Sequence, residues 1–250
     1  MEIIEQQPGD RILPGPGIYR LTDSKAALYI CLIDLADMVR KCLPAVSAGN
    51  YRTLPGCEFG PAACRGDFFT PEEIRQVNEF KTLKKQVEWL GGRYALKTLV
   101  AKVLPDAGPA DKISATYESR GAPYLSGLPT TSISISHAGE YAVAGICLQA
   151  GKRMGLDIER ITLDGLADVK RVAFTERESA AAGGSPERVF RIWTRKEAYL
   201  KFIKTGFGES LQRIDVSGPD ILHGGLAVTG LTAQTLQLGE RYLVSIVYHT

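Results

Sequence analysis

An internal repeat is the feature that most constrains how this chain can fold. In the first half, Phe69-Thr70 opens a carboxylate-rich segment that leads to Trp89, Arg93 and Lys97 at four-residue steps. In the second half, Phe174-Thr175 opens a similar segment that leads to Trp193, Glu197 and Lys201 at the same steps. The repeat predicts two similar halves that pack about a pseudo-twofold axis, with a ligand cleft between them.

Helix and strand signals occur in both halves, which predicts an α+β fold. Thr70 and Thr175 each precede a carboxylate three residues later, which is typical of a capped helix start. A further helix is predicted from Ser185-Pro186 to Lys204. Strands are predicted at 27–33, 133–136, 141–148, 154–159 and 243–248, with residues 137–140 as a hairpin turn. We place the halves at residues 1–125 and 126–250.

Composition excludes several classes of protein. The formal net charge is only +2, and basic residues do not alternate with aromatic ones, so we expect no nucleic-acid partner. No apolar run approaches the roughly 18 residues of a membrane span, so we expect no membrane partner. Five cysteines without a CxxC pair are typical of a reducing, cytoplasmic location.

Two predicted helices are strongly basic. The segments 81–102 and 188–204 each carry six Lys or Arg residues and a single acid, Glu88 or Glu197. If the two helices occupy equivalent positions in two halves, they line an electropositive cleft that suits a polyanion.

Three acids are candidate metal ligands. Asp157 and Glu159 are two residues apart in a predicted strand, so both side chains lie on one face of it. With Glu197 as a third carboxylate, they would suit Mg²⁺, which also takes water and phosphate oxygens. The simpler alternatives are a solvated strand edge for the first two acids and a surface ion pair between Glu197 and Lys201.

His137 follows a strand in which Ser134 and Ser136 alternate with isoleucines. The histidine would either serve as a hydrogen-bonded structural residue or donate to a phosphate and carry a proton. Ser136 would either share that role or cover the open face of the strand.

Taken together, these motifs resemble the 4′-phosphopantetheinyl transferases of the long, monomeric type. The resemblance rests on Gly155-x-Asp157-x-Glu159 and on Trp193-Thr194-x-Lys196-Glu197-Ala198-x-x-Lys201. Gly121-x-Pro123 and Ser134-x-Ser136-His137 match further family segments in the right order.

The resemblance implies an activity and a set of roles. Such enzymes transfer the 4′-phosphopantetheine arm of coenzyme A to a serine of an apo acyl or peptidyl carrier protein. They release adenosine 3′,5′-bisphosphate and act as holo-acyl-carrier-protein synthases. Asp157, Glu159 and Glu197 would hold Mg²⁺, with Glu197 also the base, and Lys201 would hold the diphosphate. The remaining coenzyme contacts would be His137, Ser136, Arg93, Lys196 and Lys84.

One position departs from the family pattern. The family's Gly-Lys-Pro segment reads Gly121-Ala122-Pro123 here, so its cation is missing, and Arg120 would have to replace it. Two alternative functions use the same residues. One is a Mg²⁺-dependent nucleotide or pyrophosphate hydrolase, and the other is a non-catalytic module that binds carrier proteins.

Overall fold

Two β-sheets packed face to face form the centre of the fold, and one long helix covers the outer face of each. This computed structural model describes residues 1–6, 11–21, 27–60, 68–118, 121–205 and 208–250. The layers therefore run helix, sheet, sheet, helix. The predicted α+β class is confirmed, and the pseudo-twofold relation between the halves stays a prediction.

The first sheet has the strand order β1-β3-β4-β8-β7. Its strands are β1 (Ile3–Gln6), β3 (Gly17–Leu21), β4 (Leu28–Asp34), β7 (Ser132–Ala138) and β8 (Tyr141–Cys147). Helices α1 (Leu35–Cys42), α2 (Pro71–Val77) and α3 (Leu83–Val103) accompany it, and α3 packs against β4 and β8. A separate hairpin joins β5 (Ala115–Tyr117) to β6 (Pro123–Leu125).

The second sheet has the strand order β2-β13-β14-β9. Its strands are β2 (Ile12–Leu13), β9 (Met154–Arg160), β13 (Leu231–Leu238) and β14 (Tyr242–His249). Helices α4 (Leu166–Ala173), α5 (Glu176–Ala182) and α6 (Pro186–Ile203) follow β9, and α6 packs against β9 and β14. A small sheet contains β10 (Ile214–Asp215), β11 (Leu222–His223) and β12 (Leu226–Ala227).

The two sheets do not divide the chain at a single position. Strands β7 and β8 lie beyond residue 125, yet they pair with β4 in the first sheet. Strand β2 lies near the start of the chain and pairs with β13 in the second sheet. The division at 125/126 therefore does not separate the two sheets.

Strand β9 and helix α6 are in direct backbone contact at Gly155. A Cβ atom added at Gly155 would lie 2.1 Å from the Ala198 carbonyl oxygen and 2.3 Å from the Phe202 nitrogen. Only glycine permits this approach. Because Asp157 and Glu159 follow on the same strand, this contact places both acids beside α6.

The two sheets meet along β7 and β9 through serine side chains. Ser132 Oγ accepts from the Met154 nitrogen at 3.1 Å, and Ser134 Oγ accepts from the Leu156 nitrogen at 2.9 Å. These hydroxyls bond the edge backbone of β9, where no main-chain ladder joins the two strands. We call Ser132, Ser134 and Ser136 with their β9 partners the serine seam.

Both halves contain a capped short helix tied to the long helix by a buried ion pair. Thr70 caps α2 and Thr175 caps α5, and each forms a complete capping box with Glu73 or Glu178. Lys97 Nζ lies 2.5 Å from Glu73 Oε2, and Lys196 Nζ lies 2.5 Å from Glu178 Oε2. Lys97 and Lys196 therefore have the same role, because each ties its long helix to a capped short helix. The repeat in the sequence had instead matched Lys97 with Lys201.

Within the described ranges, each helix is too short or too polar to cross a lipid bilayer.

Candidate active site

A cavity of about 230 Å³ lies between α3, the β5–β6 hairpin, β7 and the end of α6. Its walls mix apolar groups with three cationic side chains. The lining includes Glu88, Trp89, Arg93, Tyr117, Ala122, His137, Lys201 and Lys204.

Asp157 is buried beside this cavity and has partners on both carboxylate oxygens. Its Oδ1 accepts from Ser136 Oγ at 2.7 Å and from Lys201 Nζ at 2.8 Å. Its Oδ2 accepts from Thr194 Oγ1 at 3.0 Å. Strand β9 supplies the acid, β7 one donor and α6 the other two, so three elements fix its position.

The acids Glu159 and Glu197 complete the cluster. Burial, followed by the nearby charge of Asp157, raises the pKa of each to about 7. Trp193 Nε1 donates to Glu159 Oε1 at 2.7 Å, whereas Glu197 Oε1 is buried without a hydrogen-bond partner. The cluster is therefore short of positive charge.

Among the side chains of the described ranges, no group of three or more His, Cys, Asp or Glu is already arranged to hold a metal ion. The Asp157 Oδ1 oxygen is instead engaged by the Lys201 ammonium. Burial is the main cause of the raised pKa of Glu159 and Glu197, and the charge of Asp157 adds to it at both residues.

His137 lies in strand β7, not in the hairpin turn that the sequence suggested. Its Nδ1 is 3.7 Å from Glu88 Oε2. Burial, together with the charges of Lys85 and Lys201, lowers the pKa of His137 to about 4. The imidazole is therefore neutral near pH 7 in the absence of a ligand. Lys84 Nζ lies 3.6 Å from the other oxygen of Glu88.

Arg93 is a fixed cation in the cavity wall. Its side chain is 2% exposed, and its guanidinium carbon lies 4.3 Å from the centre of the Trp89 ring and 5.1 Å from that of Tyr117. Arg93 Nη2 donates to the Tyr117 hydroxyl, and Arg93 Nε lies 3.8 Å from Glu73 Oε1. Stacking on the two rings and pairing with Glu73 fix the position of the Arg93 guanidinium.

Lys196 and Arg120 are further predicted coenzyme contacts. Lys196 is fully buried, and its Nζ donates to the carbonyls of Ala173 at 2.6 Å and Leu211 at 2.8 Å besides pairing with Glu178. These contacts favour a structural role for Lys196, and its contact with the coenzyme stays a prediction. Arg120 lies outside the described residues.

Other site residues were not identified from the sequence. Thr194 and Trp193 belong to the helix motif, but the motif does not predict which carboxylate each side chain contacts. Tyr117 and Glu88 carry no local signal, since they reach the site only because the hairpin and α3 meet there. The Ser136 hydroxyl donates to Asp157, and its contact with the coenzyme stays a prediction.

Comparison with known proteins gives one family. Residues 153–247 match the family described as the 4′-phosphopantetheinyl transferase superfamily. This range contains all three acids and both Lys196 and Lys201.

Curated relatives agree at low identity. A phosphopantetheinyl transferase from Thraustochytrium sp. is 28% identical over 200 residues, covering 70% of this chain and 68% of that protein. An L-aminoadipate-semialdehyde dehydrogenase-phosphopantetheinyl transferase from Xenopus laevis is 26% identical over 162 residues, covering 58% of this chain and 52% of that protein. The chain therefore spans about half to two thirds of the length of these relatives.

A solved structure also matches in part. It is a holo-(acyl-carrier-protein) synthase from Bacillus anthracis in complex with CoA, with a TM-score of 0.36 and 21% identity. The match covers 50% of this chain and 96% of that one. Through residues 153–247, which hold the acidic strand and the helix of Glu197 and Lys201, the chain is similar to the 4′-phosphopantetheinyl transferase superfamily.

Proposed function

We propose that this protein transfers the 4′-phosphopantetheine group of coenzyme A to a serine hydroxyl of an apo carrier protein, releasing adenosine 3′,5′-bisphosphate. One observation carries the proposal. A cavity is walled by Arg93, Lys201 and Lys204, and Lys201 pairs with Asp157, whose charge, after burial, raises the pKa of Glu159 and Glu197 to about 7. This arrangement suits a nucleotide diphosphate that neutralises the cations and brings a divalent metal to the acids.

The residues fit Mg²⁺ by their chemistry. Asp157, Glu159 and Glu197 offer carboxylate oxygens, which Mg²⁺ prefers. The buried Glu197 Oε1 has no hydrogen-bond partner, and a cation would stabilise the charged form of Glu159 and Glu197, which burial and the charge of Asp157 disfavour. When Mg²⁺ is bound, it supplies neutralisation of charge on the diphosphate.

The side chains of the site would supply proton transfer, charge neutralisation and binding of the nucleotide. Glu197, whose pKa is raised to about 7 by burial, accepts the proton of the attacking serine hydroxyl. Lys201 offsets negative charge on the departing nucleotide, and Asp157 holds Lys201 in place at 2.8 Å. Arg93, Lys84 and the neutral His137 contact the nucleotide end, while Ser136 positions Asp157.

The carrier protein would dock near α4. Leu163 is 81% exposed and Val172 is 58% exposed, and both follow soon after Glu159 along the chain. Arg171 on the same helix is also exposed. Exposed apolar side chains together with a cation suit the acidic helix of a carrier protein. Because one chain supplies every side chain of the site, we propose that the protein acts as a monomer.

The test uses several apo carrier proteins, including an acyl carrier protein and the carrier domain of an aminoadipate-semialdehyde dehydrogenase. Each is incubated with the protein, coenzyme A and Mg²⁺, and its intact mass is measured. We expect the mass of one phosphopantetheine group on at least one carrier, and none after the carrier serine is replaced by alanine. Release of phosphate from nucleotides without any modified carrier would instead support a hydrolase.

A further inference from the structure

Lys204 has an unusual backbone conformation at the end of α6. Its φ is 58° and its ψ is 30°, and it is the one non-glycine residue with positive φ in the described part of the chain. Glycine is the usual residue at such a helix end, because a side chain there costs about 1 kcal/mol. A cost of this kind points to a role for the side chain.

The Lys204 side chain crosses the cavity mouth to the β5–β6 hairpin. Its Nζ lies 2.5 Å from Glu118 Oε1. The Glu118 nitrogen donates to the Ala122 carbonyl oxygen at 2.8 Å, so Glu118 faces Ala122 across the hairpin. Lys204 and Ala122 line the same cavity. The lysine thus brings a positive charge to a wall where Ala122 offers only a methyl group.

The three cations of the cavity differ in how freely they can change partners. Arg93 is held by Tyr117 and Glu73 in the core, and Lys201 is held by the buried Asp157. Glu118, in contrast, has a side chain that is 43% exposed. A solvent-exposed ion pair of this kind contributes little to stability, so a phosphate can replace Glu118 at low cost.

We propose that Lys204 leaves Glu118 and binds a phosphate group of coenzyme A, supplying the cation that Ala122 lacks. The proposal rests on the proposed function and adds a specificity-determining residue to it. Glu118 then acts as a competitor that holds the lysine at the cavity mouth until the ligand arrives.

Two substitutions separate this role from a structural one because they shift coenzyme A affinity in opposite directions. We expect Lys204→Met to weaken coenzyme A binding about tenfold by loss of a charge-assisted contact. Glu118→Gln frees the lysine and should tighten binding about twofold to threefold. Lys41→Met is the matched control, since Lys41 also pairs with an exposed carboxylate, Asp37, but lies outside the cavity. The affinity is measured by titration calorimetry.

A third variant distinguishes a loss of coenzyme A affinity from a loss of folding. Lys204→Gly suits the positive φ, so we expect its melting temperature to be equal or higher while its coenzyme A affinity falls. Equal weakening by Lys204→Met and Glu118→Gln, or no effect of either, would overturn the role of Lys204 while leaving the transferase intact. A wild-type protein that neither binds coenzyme A nor modifies a carrier would overturn both.

Discussion

At the scale of single residues, Asp157 carries most of the organisation of the site. Ser136, Thr194 and Lys201 occupy both of its oxygens before any ligand binds. The sequence predicted that Asp157 and Glu159 share a strand face, because alternation along a strand is local. It did not predict that Thr194 and Ser136 bond Asp157, because those contacts depend on how α6 and β7 pack.

Glu197→Gln tests the proposed base. The amide cannot accept the serine proton, so we expect kcat to fall at least about a hundredfold. Glu187→Gln on the same helix is the control, since Glu187 forms an exposed pair with Arg191. Rates are measured by carrier mass shift. Unchanged kcat in Glu197→Gln would exclude this residue as the base.

Trp193→Phe tests how Glu159 is oriented. The change removes the indole donor that lies 2.7 Å from Glu159 Oε1. We expect the Mg²⁺ concentration for half-maximal activity to rise about tenfold, because groups that orient metal ligands contribute that much to affinity. The measurement is a Mg²⁺ titration of the transfer rate. An unaltered Mg²⁺ requirement would show that the indole does not set the acid in place.

At the scale of elements, the starts of α2 and α5 were predictable, whereas their attachments were not. A capping box involves only four consecutive residues, so Thr70 and Thr175 could be identified as helix caps directly from the sequence. The buried pairs of Glu73 with Lys97 and Glu178 with Lys196 join residues far apart in the chain. For this reason Lys196 was assigned to the coenzyme, although it ties α6 to α5.

Lys196→Met tests this structural assignment. The substitution leaves Glu178 buried without its partner, so we expect a loss of about 3–5 kcal/mol in the free energy of unfolding. Urea denaturation measures the loss, and the double variant with Glu178→Gln should recover part of it, because glutamine removes the unpaired charge and keeps an acceptor for the backbone. The folded fraction should bind coenzyme A with wild-type affinity. A stable Lys196→Met protein with weakened coenzyme A binding would support Lys196 as a ligand contact.

At the scale of the whole molecule, the strands could be predicted individually but not sorted into sheets. The predicted strands at 133–136, 141–148 and 154–159 correspond to β7, β8 and β9. Periodicity, however, does not reveal which strands become neighbours. The pairing of β8 with β4 and of β2 with β13 therefore required the structure.

The acid cluster should make the stability of the whole protein depend on pH and Mg²⁺. The pKa of Glu159 and Glu197 rises from 4.5 to about 7 on folding, because burial disfavours the charged form. The folded state therefore binds these protons more tightly, and this contribution to stability is lost as the pH rises through about 7. Under the proposed function, Mg²⁺ would replace the lost protons when the acids are charged.

We accordingly expect Mg²⁺ to raise the melting temperature by about 5 °C at pH 8 and by much less at pH 5.5. Differential scanning fluorimetry with Mg²⁺ or a chelator makes the comparison, with Glu197→Gln as a variant that should respond less. An equal gain at both pH values would place Mg²⁺ away from these carboxylates.

The serine seam also determines how the polypeptide can be divided. Scission in the loop between Cys147 and Met154 would leave two fragments, each with a long helix and most of one sheet. They would meet again through hydroxyl groups and the apolar faces of the two sheets. Since Ser136 of one fragment bonds Asp157 of the other, recovered activity would report complementation of the two pieces.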